Sequence, residues 1–166
     1  MSTTSDFDFI IGDWLVHHHR LKERLAGSSE WVEFDGTSST HKILDGSGNV
    51  EDNYLGLPEG PYRAAALRSF NSATLQWSIW WLDARSPGQL DTPVVGHFEK
   101  GRGVFFANDR VNGIPVRIRF VWTSLGPDFA RWEQAFSADG GDNWETNWTM
   151  DFVRDSADPI RHGRSL

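Results

Sequence analysis

Three consecutive histidines, His17, His18 and His19, are the part of the sequence that most directly suggests chemistry. Adjacent side chains of a β-strand point to opposite faces, so the three imidazoles cannot converge on one metal ion. Only His17 and His19 could share a face, and no acidic residue stands beside them to complete a zinc ligand set. We therefore expect no metal site here and no bound cofactor.

Proton transfer is the chemistry that a single inward-facing histidine could perform. If Trp14 points into a barrel, the period of two along a strand turns His18 and Arg20 inward as well. Imidazole titrates near neutral pH, so His18 is the best placed general acid or base. Burial among aromatic rings would lower the pKa of His18, whereas a nearby carboxylate would raise it.

Two carboxylates are further candidates for acid–base chemistry. Asp109 interrupts an apolar strand face, where burial would raise its pKa, but it also lies two residues from a turn. We expect Asp109 to be solvated at the rim of the fold. Glu133 enters the apolar side if Ser137 pairs with Trp144, and a slip of one residue turns it out to solvent, so both orientations stay open.

Arginine supplies planar, bidentate donors that could bind a carboxylate, and Arg68, Arg119 and Arg131 lie in predicted strands. Such residues more often stack on aromatic rings or join surface ladders of charge, and an expected pairing of Arg68 with Trp77 fits that interpretation. The sequence contains no glycine-rich phosphate loop, no Ser-His-Asp spacing and no EF-hand loop. These patterns therefore indicate no familiar class of catalytic site.

The elements that must position these residues are predicted to be β-strands. The 166 residues include 9 Trp and 11 Phe against 2 Tyr and 2 Met, and aromatic residues favour pleated, half-buried surfaces. Segments of period two follow one another, and no helical stripe of useful length occurs. The predicted strands are 14–23, 31–44, 49–55, 62–70, 75–82, 94–100, 104–111, 114–123, 129–137 and 144–154.

About ten antiparallel strands usually close into a barrel, because closure removes the exposed edges. The sequence therefore predicts an all-β fold, a single antiparallel up-and-down barrel over residues 1–154. The segment Phe7 to Gly12 is too short for a full helix, so it predicts one helical turn that plugs an end of the barrel. Residues 155–166 are polar and aperiodic, which predicts a loose C-terminal tail.

Two hairpins can be placed in register from their turns. Asn112-Gly113 tolerates the positive φ angles of a type I′ turn, which pairs Val111 with Ile114. The turn at 71–74 is expected to set Phe70 against Leu75. Small residues then face large ones, as a filled small barrel requires. The further pairs in this register are Arg68 with Trp77, Ala66 with Ile79, Ala65 with Trp80 and Ala64 with Trp81.

Composition limits the environment and the partners of the chain. The absence of Cys excludes a disulfide framework, a thiolate metal site and a cysteine nucleophile, and leads us to expect a cytoplasmic location. No run approaches the roughly 18 consecutive apolar residues that span a bilayer, and residues 1–8 do not resemble a signal peptide. The net charge of −7 repels phosphate backbones, so we expect neither a membrane nor a nucleic acid as a partner.

Several short motifs carry a resemblance to a known family. Gly12-Asp13-Trp14 has the G-x-W form that begins the first strand of lipocalin and calycin barrels, where the Trp closes the barrel base. The other motifs are Phe7-x-Phe9, Arg68-x-Phe70, Thr74-x-x-Trp77, Arg131-Trp132-Glu133, Ser137-x-Asp139-Gly140-Gly141-x-x-Trp144 and Trp148. Together they resemble a bacterial lipocalin-like family catalogued as a domain of unknown function, over about residues 7–154. The resemblance implies a calycin-type barrel with a central pocket and assigns no catalytic residue.

Three hypotheses for the function follow. The first is binding of a small, largely apolar or aromatic molecule in the lumen, with His18 and Arg20 as polar contacts. The expected aromatic lining is Trp14, Trp80, Trp81, Phe105, Phe120, Trp122 and Trp148. The second is a cofactor-free cyclase, isomerase or lyase, in which His18, Asp109 or Glu133 moves a proton. The third is a structural or interaction protein whose barrel is filled by side chains.

The predicted fifth strand is apolar on both faces, because Trp80 and Leu82 alternate with Trp77, Ile79 and Trp81. Only one of these faces can point into the barrel. The other face must be covered by the N-terminal turn, by the tail or by a second subunit. We therefore expect a homodimer.

Overall fold

The structure, a computed structural model, describes residues 1–158 of the chain. Ten antiparallel strands form one closed barrel in chain order, and the last strand pairs with the first. The strands are β1 (Gly12–Leu21), β2 (Trp31–Ile43), β3 (Gly48–Leu55), β4 (Tyr62–Asn71), β5 (Gln76–Asp83), β6 (Val94–Glu99), β7 (Arg102–Val111), β8 (Ile114–Ser124), β9 (Phe129–Ser137) and β10 (Glu145–Arg154). Two short 3₁₀ turns, Asp8–Ile10 and Leu44–Gly46, are the helical segments of this described part. The predicted all-β, lipocalin-like barrel is confirmed.

The β7–β8 hairpin has the register that its turn predicts. Val111 lies opposite Ile114. Asn112 and Gly113 both have positive φ angles, of 50° and 78°, as a type I′ turn requires. Local chemistry at the turn therefore fixes which residues of the two strands face the lumen.

The β4–β5 hairpin is shifted from its predicted register. Phe70 lies opposite Trp77 instead of Leu75, because the four-residue loop occupies 72–75 and not 71–74. The N–H of Leu75 donates to the carbonyl oxygen of Asn71 at 2.8 Å, and Leu75 adopts a positive φ of 58°. Each residue of β4 therefore meets a partner two positions further along β5. A shift of two residues keeps every side chain on its predicted face.

The N-terminal segment closes one end of the barrel. Phe7 is buried, and its ring contacts those of Trp77 and Phe98 at centroid distances of 5.0 and 4.8 Å. The indole N–H of Trp14 donates to the carbonyl oxygen of Ile10 at 2.9 Å. The predicted helical plug and the predicted place of Trp14 at the barrel base are confirmed.

Arg154, the last residue of β10, fastens the C-terminal end of the described chain to the same closed end. Its guanidinium carbon lies 4.1 Å from the centre of the Trp14 ring, and its Nη1 donates to the carboxylate of buried Asp158 at 2.9 Å. Residues 155–158 of the predicted tail therefore pack against the barrel. The remaining residues of that predicted tail, 159–166, lie outside the described residues.

Within residues 1–158, no helix is long and apolar enough to cross a membrane.

Arg154→Ala is expected to lower the free energy of unfolding by about 3–5 kcal/mol, because it removes the guanidinium that the buried Asp158 carboxylate contacts. Urea unfolding followed by Trp fluorescence measures the change. Arg63→Ala is the matched control, since Arg63 and Asp52 form an exposed ion pair of 3.2 Å and such pairs contribute about 0–1 kcal/mol. Equal losses in the two variants would show that the closed end does not depend on Arg154.

Candidate functional site

The barrel contains a cavity of about 330 Å³ that opens at the end opposite the N-terminal plug. Small-molecule sites typically measure about 300–1,000 Å³ and combine apolar walls with a few polar groups. Inward residues of β4 to β10 supply the apolar wall: Tyr62, Ala66, Ile79, Trp81, Val94, Ile118, Phe120, Trp122, Trp132, Phe136, Trp148 and Met150. Charged side chains lie at the floor and at the mouth. The cavity therefore has the size and lining of a ligand site.

Trp148 is the centre of the aromatic wall. Its ring lies 6.0 Å from that of Trp81 and 5.2 Å from that of Trp132, and Trp132 lies 5.0 Å from Phe120. The ring planes in these pairs are inclined at 86°, 88° and 80°, the edge-to-face arrangement that aromatic quadrupoles favour. The rings thus hold one another in place and form a rigid wall.

His18 points inward, as strand parity predicts, but it lies behind the wall and not on the cavity. Its ring stacks on Phe34 at 4.5 Å. The indole N–H of Trp148 donates to Nδ1 of His18 at 3.1 Å, so Nδ1 must be unprotonated. Burial, and then the charge of Arg20, lower the pKa of His18 to about 3. A neutral imidazole therefore orients the central tryptophan of the wall.

His17 and His19 lie on the outer face of β1, as the alternation requires. Nδ1 of His17 lies 2.8 Å from Asp35, and this hydrogen bond is the main cause of a raised pKa for His17. The ring of His19 stacks on that of Trp31 at 4.3 Å. The three histidines therefore face different partners on two sides of the sheet.

Of the three predicted acid–base residues, His18, Asp109 and Glu133, it is Asp109 that lines the cavity. It lies half-exposed at the mouth, where one carboxylate oxygen accepts the backbone N–H of Arg110 at 2.7 Å. This is the solvated position at the rim that its distance from the turn predicts.

Glu133 lies on the outer surface, 3.8 Å from Nε of Arg131. Gln134 occupies the position opposite Trp148, because the register between β9 and β10 shifts between Thr146 and Trp148. This bulge leaves Asn147 as an extra residue on β10. Of the two orientations of Glu133 that the sequence leaves open, the structure has the outward one.

The predicted ligand-binding residues separate into three groups. Arg20, Trp81, Phe120, Trp122 and Trp148 come together around the cavity. Three others lie elsewhere: Trp14 and Phe105 are buried in the closed end, and Trp80 points away from the lumen because it alternates with Trp81. His18 supports the wall from behind.

A buried ion pair at the cavity floor was missed by the sequence interpretation. The guanidinium of Arg68 donates to the carboxylate of Glu51, and it donates to Oδ1 of Asn49 at 2.9 Å. Arg68 is stacked between Phe7 and Trp122, at 4.9 and 5.0 Å from the ring centres. The stacking predicted for Arg68 occurs, but on different rings and inside the barrel. The alternation of Asn49 and Glu51 on β3 was the available signal, since polar residues of period two mark one strand face.

Charged residues of opposite sign meet at the cavity mouth. Arg85 donates to both carboxylate oxygens of Asp83, with Nε at 3.0 Å and Nη2 at 2.7 Å. Asp91 also lines the mouth, and burial, followed by the charge of Asp109, raises its pKa. The mouth therefore carries both arginines and carboxylates.

Comparison with known proteins supports the fold. No family model matches the sequence, and no curated protein matches it. Among solved structures, the S-type phycobiliprotein lyase CPES from Guillardia theta superposes with a TM-score of 0.50 at 10% sequence identity. The match covers 95% of this chain and 94% of that chain. The likeness shows the fold alone. The bacterial family expected from the motifs is not confirmed.

NMR titration of the histidine side chains is expected to separate His17 from His18. His18 should stay neutral until the pH approaches about 3, because burial disfavours its imidazolium, whereas His17 should titrate above its usual pKa of 6.5 beside Asp35. The unfolded chain protonates His18 near pH 6.5, so this residue makes stability fall as the pH drops from about 6.5 towards 3. Titration of His18 near 6.5 in the folded protein would contradict its inward position.

Proposed function

We propose that the barrel binds one small, largely apolar, aromatic molecule in the open cavity. The observation that carries the proposal is the cavity of about 330 Å³ with its wall of inward-facing aromatic rings. Such rings bury a large apolar area in a fixed geometry, so a flat apolar ligand would meet a surface that is already organised. The barrel fold shared with the phycobiliprotein lyase is consistent with a binding cavity.

The hypothesis of a barrel filled by side chains is disfavoured by this cavity. Large rings do fill the closed end, but Ala66, the cross-strand neighbour of Trp81 in the cavity lining, has a small side chain that leaves space beside that ring. The indole Nε1 of Trp122 adds a second indication. It is buried with no hydrogen-bond partner among the described residues, and Trp122 lines the cavity. A ligand acceptor could supply the missing partner.

The enzymatic hypothesis, a cofactor-free cyclase, isomerase or lyase, rests on fewer residues than the sequence suggested. His18 lies behind Trp148, Glu133 lies outside, and Asp109 lies at the mouth. The buried carboxylate on the cavity, Glu51, is engaged by Arg68 at the floor. Binding requires none of these groups to transfer a proton, so binding is the function that the geometry supports best.

Titration with the uncharged dye N-phenyl-1-naphthylamine is expected to quench Trp fluorescence and enhance dye emission. Trp81→Ala should weaken dye binding roughly tenfold, because it removes one ring of the wall. Trp80→Ala is the matched control, since it removes the adjacent indole on the outer face of the same strand. Trp81 is preferred to Trp122 as the test because Trp122 also stacks on the buried Arg68. Absence of dye binding to the wild-type protein would refute the proposal.

We propose further that two copies of the chain associate. The outer face of β5, on which the expectation was based, does not include the most exposed apolar residues of the described chain. Four exposed apolar residues, together with Thr37, instead lie in one row across five neighbouring strands, in which each residue is paired with the next: Phe129, Val153, Leu15, Thr37 and Tyr54. The row contains no charged residue, although the chain carries a net charge of −7. Two copies could therefore meet here without opposing like charges.

Sedimentation velocity is expected to give about twice the 18.8 kDa mass of one chain. Leu15→Glu should give the monomer, because it places a charge in the middle of the row. Ile114→Glu is the control, as Ile114 is similarly exposed at the β7–β8 turn, outside the row. A wild-type monomer would refute the proposed dimer.

The cytoplasmic location and the membership of the bacterial lipocalin-like family remain proposals as well.

A further inference from the structure

We propose that the ligand carries a carboxylate, and that Arg20 and Arg24 bind this group at the cavity mouth. The inference rests on the proposed binding function and names the chemical class of the ligand: an aromatic or apolar acid. Its apolar body would lie against the aromatic wall, and its charged end would face outward between the two guanidinium groups.

The two arginines converge on one ring of the wall. The guanidinium carbon of Arg20 lies 4.9 Å from the centre of the Trp148 ring, and that of Arg24 lies 6.0 Å from it. Arg24 comes from the β1–β2 loop and also lies 5.9 Å from the ring centre of Phe136. Both residues line the cavity. Two planar donors therefore meet at the place where the aromatic wall reaches the mouth.

The hydrogen-bonding capacity of these two arginines is largely unused. Each guanidinium has five N–H donors. Arg20 donates from Nη1 to the hydroxyl of Tyr62 at 2.8 Å, and Arg24 makes no side-chain hydrogen bond within residues 1–158. Neither arginine has a carboxylate within ion-pair distance in the part of the chain that the structure describes. A carboxylate that accepts from both would fill this gap with charge-assisted bonds.

The positive charges of Arg20, Arg24 and Arg85 lie close enough at the mouth to repel one another. Arg24 is half-buried, and burial, followed by the charge of Arg20, lowers its pKa, with Arg85 acting in the same direction. Arg85 is paired with Asp83, whereas no carboxylate of the described residues lies within ion-pair distance of Arg20 or Arg24, and the charge of Asp91 offsets only part of the effect on Arg24. An anionic group would relieve this repulsion. The arrangement is thus more favourable with an anion than without one.

The carboxylates at the mouth do not occupy the proposed position. Asp83 is held by Arg85 through two hydrogen-bonded oxygens. Asp91 and Asp109 line the mouth and act on each other electrostatically, and Asp91 also interacts electrostatically with Arg24, but neither carboxylate lies within ion-pair distance of Arg20 or Arg24 among the described residues. The backbone N–H of Asp91 donates to the carbonyl oxygen of Trp81 at 2.9 Å. These acidic groups would repel a ligand with several negative charges. The mouth therefore suits a single carboxylate placed between Arg20 and Arg24.

A matched pair of compounds tests the inference. Protein loaded with N-phenyl-1-naphthylamine is titrated at pH 7 with 1-naphthaleneacetate and, separately, with 1-naphthaleneacetamide, which have similar shapes and differ in charge. The acid is expected to displace the dye at a concentration about tenfold lower than the amide. Raising the ionic strength should reduce the advantage of the acid and leave displacement by the amide unchanged.

Substitutions assign the preference to the two arginines. Arg20→Gln and Arg24→Gln should each reduce the preference for the acid, and the double variant should remove it. Arg24→Lys should retain part of it, because lysine keeps the charge and loses the planar fork. Lys22→Gln removes the same charge from an exposed position beside Glu30, so it should keep the full preference. Far-UV circular dichroism and dye affinity check that each variant is folded.

The outcomes distinguish this inference from the proposed function. If the dye fails to bind, the proposed function itself fails. If the dye binds but the acid has no advantage over the amide, or if neither compound displaces it, the carboxylate site is refuted and the apolar binding function stands. A preference for the acid that survives in the double variant would also refute the assignment to Arg20 and Arg24.

Discussion

The pleat of a β-strand sends successive side chains to opposite faces, and closure of the sheet turns those faces into an inside and an outside. This alternation decides the chemistry available to neighbouring residues of the same strand. On β1 it places His18 against Trp148 in the dry interior and places His17 beside Asp35 in water. The same imidazole group therefore has a lowered pKa at one position and a raised pKa at the next.

The location of the cavity follows from an uneven distribution of large side chains within that interior. Phe7 enters one end from outside the strands and packs with Trp77, Phe98 and Phe105, so that end is filled. No equivalent plug enters the other end in the described chain, where Ala66 faces the lumen. The N-terminal segment thus does more than cap the barrel. By filling the base, it leaves the cavity in the half of the barrel that carries the arginines and carboxylates of the mouth.

Features of the fold that depend on local sequence could be predicted. Features that depend on contacts between distant residues could not. The Asn112-Gly113 turn predicts the register of its hairpin, because few other residues accept its backbone angles. Leu75 adopts a positive φ, which leucine rarely does, so the β4–β5 loop lies one residue later than the sequence predicted. The bulge at Asn147, which turns Glu133 outward, has no local signature of comparable strength.

The candidate site was predictable to the same extent. Parity with Trp14 predicted the inward position of Arg20, since it requires only the period of two. Trp81 and Trp148 were among the aromatic residues expected to line the lumen, together with Trp80, which points outward. The pairing of Arg68 with Glu51 depends on the registers of β3 and β4, which the sequence did not provide. Distances between strands are properties of the whole barrel, so a buried charge and its partner cannot be matched from their positions along the chain.

The buried charges show why the mouth differs from the rest of the interior. Arg68 and Arg154 are both fully inside the protein, and each donates to a buried carboxylate and stacks on aromatic rings. Both fully buried arginines of the described chain are therefore neutralised, as the cost of an unpaired buried charge requires. Arg20 and Arg24 share the aromatic stacking but have no carboxylate of their own among the described residues. They lie where the cavity meets solvent, so a ligand can reach them, and a bound anion would complete there the same arrangement of guanidinium, ring and carboxylate that the fold builds twice in its interior.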